Sequence, residues 1–264
     1  MQRTILCTLF LLVQAVHVYA DETDAAIANL PEGPERSSIE LGRHIVLDTP
    51  RYAPGHVPGG MSCASCHIDG GTRPNASPWY GITGVLPAYS ARSGTAVTLE
   101  QRINDCFRRS ENGVPLALDS MEMKALVAYM SFLSRGIAPR QFGPGRGMGH
   151  LASARDPDTA HGQAIYIQKC AACHSASGSG MRSGATYAVP PLWGDASYNI
   201  GASMARVGPA AAFIAHNMPL GQGGSLSDQD AIDIASYVNS HPRPDYADKA
   251  ADWPNGDKPE DARY

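Results

Sequence analysis

Two pentapeptides hold the residue types that do redox chemistry: Cys63-Ala64-Ser65-Cys66-His67 and Cys170-Ala171-Ala172-Cys173-His174. Two thiols three positions apart, followed at once by an imidazole, form the attachment pattern of c-type haem. The thiols make thioether bonds to the porphyrin and the histidine takes one axial position on iron, so His67 and His174 are the expected proximal ligands. The same residue types also occur as half of a zinc site or as a redox C-x-x-C pair. The immediate histidine, the duplication and an export signal favour two covalently bound haem c groups.

The chain has six cysteines, and the two motifs use four of them. Cys7 falls in an N-terminal segment expected to be removed, which leaves Cys106 without a partner. An unpaired thiol in an exported protein asks for a specific role. Aligning the two halves suggests one. Met218, in Asn217-Met218-Pro219-Leu220, lies 44 residues after His174, where a proline ends the preceding helix and a loop presents the thioether. It is the expected second axial ligand of the second haem, with Met181, Met204 and His216 as rivals. The corresponding place in the first half, Asn112-Gly113-Val114-Pro115-Leu116, holds a valine, which cannot bind iron. Cys106 lies about two turns upstream, 39 residues after His67, so a histidine–cysteine haem is expected. A thiolate pushes electron density onto iron. Met121 and Met123 are the alternative ligands, with Cys106 then a small buried apolar residue.

The residues around Cys106 are basic. Arg102 is four residues before it and Arg109 three after, on one helix face, with Arg92 further back. Positive charge beside a thiol favours the thiolate. Guanidinium groups also pair with oxyanions in a planar fork that lysine lacks. Arg108 is the member of the group expected to face solvent.

These groups need helices to place them. Thr98 and Gln101 stand at capping-box spacing before the helix that carries Cys106. A second helix is expected over about 120–135, with Asp119 and Glu122 as a capping pair, Leu126, Tyr129, Met130 and Leu133 on one face and Gly136 at its end. Its counterpart runs over about 227–240, with Ser227 and Asp230 at cap spacing and Ile234, Tyr237 and Val238 as the apolar stripe. Gly42-Arg43-His44-Ile45 precedes the first motif and Gly162-Gln163-Ala164-Ile165 the second. No segment alternates as a strand does. The expected fold is mainly α, with two tandem cytochrome c-like haem domains joined by a Gly/Pro-rich linker. The divisions are 1–20 signal peptide, 21–137 first domain, 138–157 linker and 158–264 second domain. The linker is expected to pack across both domains, and the tail after Pro242 to lie on the surface.

Residues 1–20 have Arg3 at the start, an apolar run from Ile5 to Val13 and a Val18-Tyr19-Ala20 end. That is a secretory signal pattern, too short to span a bilayer. No later run reaches the ~18 apolar residues of a membrane span. Export and haem attachment together point to the periplasm. The formal net charge of −4 argues against a nucleic-acid partner.

The chain resembles the dihaem thiosulfate dehydrogenases, periplasmic enzymes that couple two thiosulfates into tetrathionate. The likeness rests on both haem motifs, on Arg102-Ile103-Asn104-Asp105-Cys106-Phe107-Arg108-Arg109-Ser110-Glu111-Asn112-Gly113, on Asp119 to Lys124 and on Asn217 to Gly221. It implies that Cys106 is both sixth ligand and covalent nucleophile, that Arg92 and Arg102 bind the anionic sulfur compound, and that Met218 ligates the second haem. Some members carry a lysine immediately before that methionine; Asn217 stands here. A plain histidine–methionine second haem is therefore expected. Electrons would pass to a small electron-transfer protein such as a soluble cytochrome c. Two other readings are a dihaem electron carrier without its own substrate, and a sulfur-oxidising cytochrome subunit that acts on a carrier protein.

Overall fold

A computed structural model of the chain describes residues 18–152 and 155–264. Cys7 and most of the expected signal segment lie outside the described residues. The first half contains α1 (Val18–Ala28), α2 (Pro34–Leu47), α3 (Thr49–Tyr52), α4 (Ile68–Gly71), α5 (Leu99–Arg109) and α6 (Met121–Leu133). The second contains α7 (Thr159–Lys169), α8 (Ala171–His174), α9 (Val207–Asn217) and α10 (Asp228–Ser240). Two short antiparallel hairpins, β1 (Ala88–Ser90) with β2 (Thr95–Val97) and β3 (Met181–Ser183) with β4 (Thr186–Val189), were not expected. Three- and four-residue strands are too short to show alternation in a sequence.

Both halves are built on one helix crossing. In the first, α2 packs against α6 and a Cβ on Gly42 would lie 2.1 Å from the Ala125 carbonyl oxygen. In the second, α7 packs against α10 and a Cβ on Gly162 would lie 1.9 Å from the Asp233 carbonyl oxygen. Backbones this close tolerate only glycine at the crossing. Ile39, Ile45, Val46, Met123, Leu126 and Tyr129 are fully buried around the first crossing. Ile165, Tyr166, Ile234 and Val238 fill the second. Arg43, itself buried, pairs with Asp24 of α1 and donates to the Tyr129 hydroxyl (3.1 Å), which donates to the Gly70 carbonyl (2.8 Å). The loop after the first haem motif is thereby tied to the crossing.

The helix starts agree with the sequence at two places and differ at one. The Thr98 hydroxyl accepts from the Gln101 N–H and the Gln101 side chain accepts from the Thr98 N–H, a complete capping box for α5. Ser227 accepts from the Asp230 N–H at the start of α10. On α6 the cap is Ser120, which accepts from the Met123 N–H, and not Asp119. A hydroxyl at the position where the helix begins serves as well as a carboxylate one residue earlier.

The interdomain segment does pack on both halves. The Gly145 and Gly147 carbonyls accept from the Asn75 and Ser77 N–H groups at 2.7 Å each, and the Ala152 N–H donates to Asp228 at 2.6 Å. Further bonds join the halves directly. Asn199 Nδ2 donates to the Arg108 carbonyl (2.8 Å), and Asn217 Nδ2 to the Asn75 carbonyl (2.9 Å). The tail departs from expectation. Tyr246 and Trp253 are buried, and the Trp253 N–H donates to the Arg92 carbonyl at 2.7 Å. The tail is anchored by single residues at irregular spacing, which leaves no periodicity to read.

Candidate active site

His67 follows a turn of 3₁₀ helix over Cys63–Ser65. Its Nδ1 lies 2.9 Å from the Ser77 carbonyl oxygen, and His174 Nδ1 lies 3.0 Å from the Pro190 carbonyl. A carbonyl can only accept, so in each ring Nδ1 carries the proton and Nε2 keeps a free lone pair. Burial pulls both pKa values down, that of His67 to about 4, which keeps the imidazoles neutral. Cys63, Cys66, Cys170 and Cys173 are free thiols. An aromatic wall stands beside each motif: Trp79 lies 4.5 Å from the His67 ring, and a Cβ on Gly178, four residues after His174, would meet Trp193 at 2.3 Å. Neutral histidines oriented from behind, with paired free thiols beside them, fit one c-type haem at each motif.

Cys106 sits within α5, half-buried, with Arg102 Nη1 3.8 Å from its sulfur. Cys106 and Glu111 lie within electrostatic range of Cys63 and Cys66, and Arg102 within range of His67, so α5 and the turn after it bring these groups toward the first motif. The expected lowering of the Cys106 pKa is not found. Burial raises it, and the pull of Arg102 does not make up the difference.

The arginines divide. Arg102 is exposed and reaches the sulfur. Arg92, at the tip of the β1–β2 hairpin, points toward the second half and bonds the Gly201 carbonyl. Arg109 is buried and turned to Asp252, with Nη1 and Nη2 each 2.7 Å from a carboxylate oxygen. Burial works against its charge, but the Asp252 bonds outweigh that and hold its pKa above the usual value. Arg108 pairs with Asp105 at 3.8 Å.

Two acids were missed by sequence reading. Glu111 is 5% exposed, its Oε2 has no hydrogen-bond partner among the described residues, and burial pushes its pKa up to about 8. Asp252 lies in the tail, 143 positions from Arg109. Glu111 stands within the quoted Cys106 segment, but its burial is set by folding and has no local signal.

Met218 follows α9 in extended backbone, its N–H bonded to the Ile214 carbonyl (2.9 Å). It packs against the buried cluster of Ile68, Ala76 and Phe213, which Met148 and Met204 also flank. Of its rivals, Met181 is half exposed and His216 Nε2 is 3.2 Å from the His150 carbonyl. Met204 shares the same cluster. In the first half, Met123 is fully buried in the α2–α6 core, Met121 is exposed and Val114 is exposed.

Comparison with known proteins agrees with the two-part architecture. Residues 52–138 match the SoxA/TsdA, cytochrome c domain, and residues 159–242 match cytochrome c. The chain is 47% identical over 235 residues to the thiosulfate dehydrogenase of Allochromatium vinosum, spanning 87% of each chain. It is 42% identical to that of Psychrobacter arcticus, spanning 89% of this chain and 72% of the relative. The solved thiosulfate dehydrogenase (TsdBA) of Marichromatium purpuratum superposes with a TM-score of 0.77 at 36% identity. That match spans 85% of this chain and 51% of the solved one. Two cytochrome c domains imply one haem c in each.

Proposed function

The chain belongs to the thiosulfate dehydrogenase family, and from that premise we propose that it joins two thiosulfate ions into tetrathionate at Cys106. The reading places it in the periplasm as a dihaem cytochrome c, with haem held by thioethers from Cys63 and Cys66 and from Cys170 and Cys173. The observation that carries it is Cys106 on α5, with Arg102 at its sulfur and His67 within range of the same arginine's charge.

Arg92 and Arg102 bind the anion. Two dianions must meet in this reaction, and the guanidinium groups offset their repulsion. The Cys106 sulfur bonds to the terminal sulfur of the first thiosulfate, giving an S-thiosulfonate on the protein and releasing two electrons. The terminal sulfur of a second thiosulfate then attacks the thiosulfate-derived sulfur bonded to Cys106. The cysteine–sulfur bond breaks, tetrathionate departs and Cys106 is again a thiolate. When bound, haem supplies the iron that stabilises this thiolate and the centres that accept the electrons one at a time, with His67 and Cys106 as ligands of one and His174 and Met218 of the other. Each step can run backward, so the same groups reduce tetrathionate when the electron donor is strong enough. Cys173 and Ala172 are exposed at the second motif, which suits electron exit there to a small soluble cytochrome c.

The test is the haem-loaded Cys106→Ala variant, assayed for thiosulfate-dependent reduction of an artificial acceptor. Activity is expected to vanish while both domains stay reducible by dithionite. Undiminished turnover would sink the covalent mechanism and leave an electron carrier.

A further inference from the structure

The C-terminal segment of the second half reaches the site of the first. Arg92 stands in the hairpin turn between β1 and β2. Among the described residues, the four contacts that hold it come from residues beyond 200. Nη1 bonds the Gly201 carbonyl, and Nε lies 3.8 Å from Asp252 Oδ2. The guanidinium carbon sits 4.8 Å from the centre of the Trp253 ring, and the Arg92 carbonyl accepts from the Trp253 N–H at 2.7 Å. The same tail closes on the hairpin, where a Cβ on Gly94 would lie 2.6 Å from Pro254. Asp252 is the centre of this arrangement. Its side chain is 4% exposed, takes both Arg109 bonds and accepts from the Tyr264 hydroxyl.

We propose that Asp252 is a positioning residue for Arg92, so that the second domain's tail sets the affinity of the first domain for thiosulfate. The inference rests on reading Arg92 as an anion-binding residue. Asp252 keeps two neighbouring guanidinium groups from repelling one another and leaves Arg92 in a fixed orientation before the anion arrives. Ordering such a long side chain in advance removes a cost that binding would otherwise carry.

Asp252→Asn separates positioning from simple charge, because the two act in opposite directions. Removing a carboxylate beside an anion site lowers KM on charge alone. Releasing Arg92 raises it. The experiment measures kcat and KM for thiosulfate in the haem-loaded Asp252→Asn, Trp253→Leu and Arg92→Ala variants. The expected result is a KM raised about threefold to tenfold in Asp252→Asn and Trp253→Leu, with kcat within about twofold of the parent. Trp253→Leu keeps the ion pairs, so it tests the clamp even where the Asn variant fails to fold. An unchanged or lowered KM in the variants that fold overturns the inference. If Arg92→Ala raises KM and the tail variants do not, only the inference fails. If Arg92→Ala leaves KM unchanged, the role given to Arg92 fails, and the inference with it.

Discussion

In the first domain α2 crosses α6 at Gly42, and in the second α7 crosses α10 at Gly162, each glycine against a backbone carbonyl. Behind each motif a carbonyl, Ser77 or Pro190, orients the histidine ring. The domains part company in the side chain proposed for the other axial position. The first offers a thiol from within a helix, with Arg102 at its sulfur and Glu111 in range; the second offers a thioether from a loop after a helix, among apolar side chains. A thioether carries no charge and needs only packing. A thiolate that must also react needs a fixed position and nearby charges, and a helix can supply both. On the function proposed above, the shared scaffold holds one haem in each domain, and the side chain at the variable position decides whether the domain carries electrons or does chemistry.

The largest effect should come from removing charge at the reactive side alone. Arg102→Ala is expected to lower kcat/KM for thiosulfate by roughly 10²-fold. Lys169→Ala, which removes the cation beside Cys170, should change it by less than about twofold with an artificial acceptor. Equal losses would break the division of labour.

Stability tests the shared scaffold. Gly42→Ala and Gly162→Ala should each destabilise the holoprotein by about 1–3 kcal/mol, read by denaturant unfolding, because the crossing must open. A harmless alanine at either position would show that the crossings are not equivalent. Asn217→Ala should cost about 1 kcal/mol. It removes the bonds to the Asn75 and Phe213 carbonyls, so the contact between the domains should loosen first.

The smallest effect is one of pH and belongs to the second domain. The bond to Asp233 raises the His161 pKa above its usual value. Its stabilisation is fully present below the usual histidine pKa and fades as pH rises through the raised one. Burial opposes the Asp233 charge, but bonds from His161, the Asp158 N–H and Gln229 outweigh it and depress that pKa. That contribution fades only as pH falls through the depressed value. Thermal melts of the parent should therefore decline slightly as pH rises past neutrality. The decline should be absent in His161→Ala.

The sequence made the local features legible and left out the long-range ones. The caps at Thr98 and Ser227, the apolar stripes of α6 and α10 and both histidine motifs depend on residues a few positions apart, and those spacings are written in the chain. Cys106 could be singled out because it broke a count. Arg109 could not be assigned correctly, since helix spacing puts it on the Cys106 face while its partner, Asp252, lies in a segment without periodicity. Glu111 reads as an ordinary polar residue until folding buries it. The Cys106 pKa failed for a related reason: neighbouring charges are visible in sequence and desolvation is not.

The bonds from Asn75 and Ser77 to Gly145 and Gly147 bear on how this protein can be taken apart. Ser77 is the residue whose carbonyl orients His67, and its own N–H is held by the segment between the domains. A fragment ending at residue 137 would keep the first motif, Cys106 and the arginines, yet lose the brace behind the His67 ring. The two domains read as beads on a string, but the string is wound into the first bead. An engineer who wished to swap the second domain should place the junction after Gly147, and would also have to replace the contacts that Gly201, Asp252 and Trp253 make to Arg92.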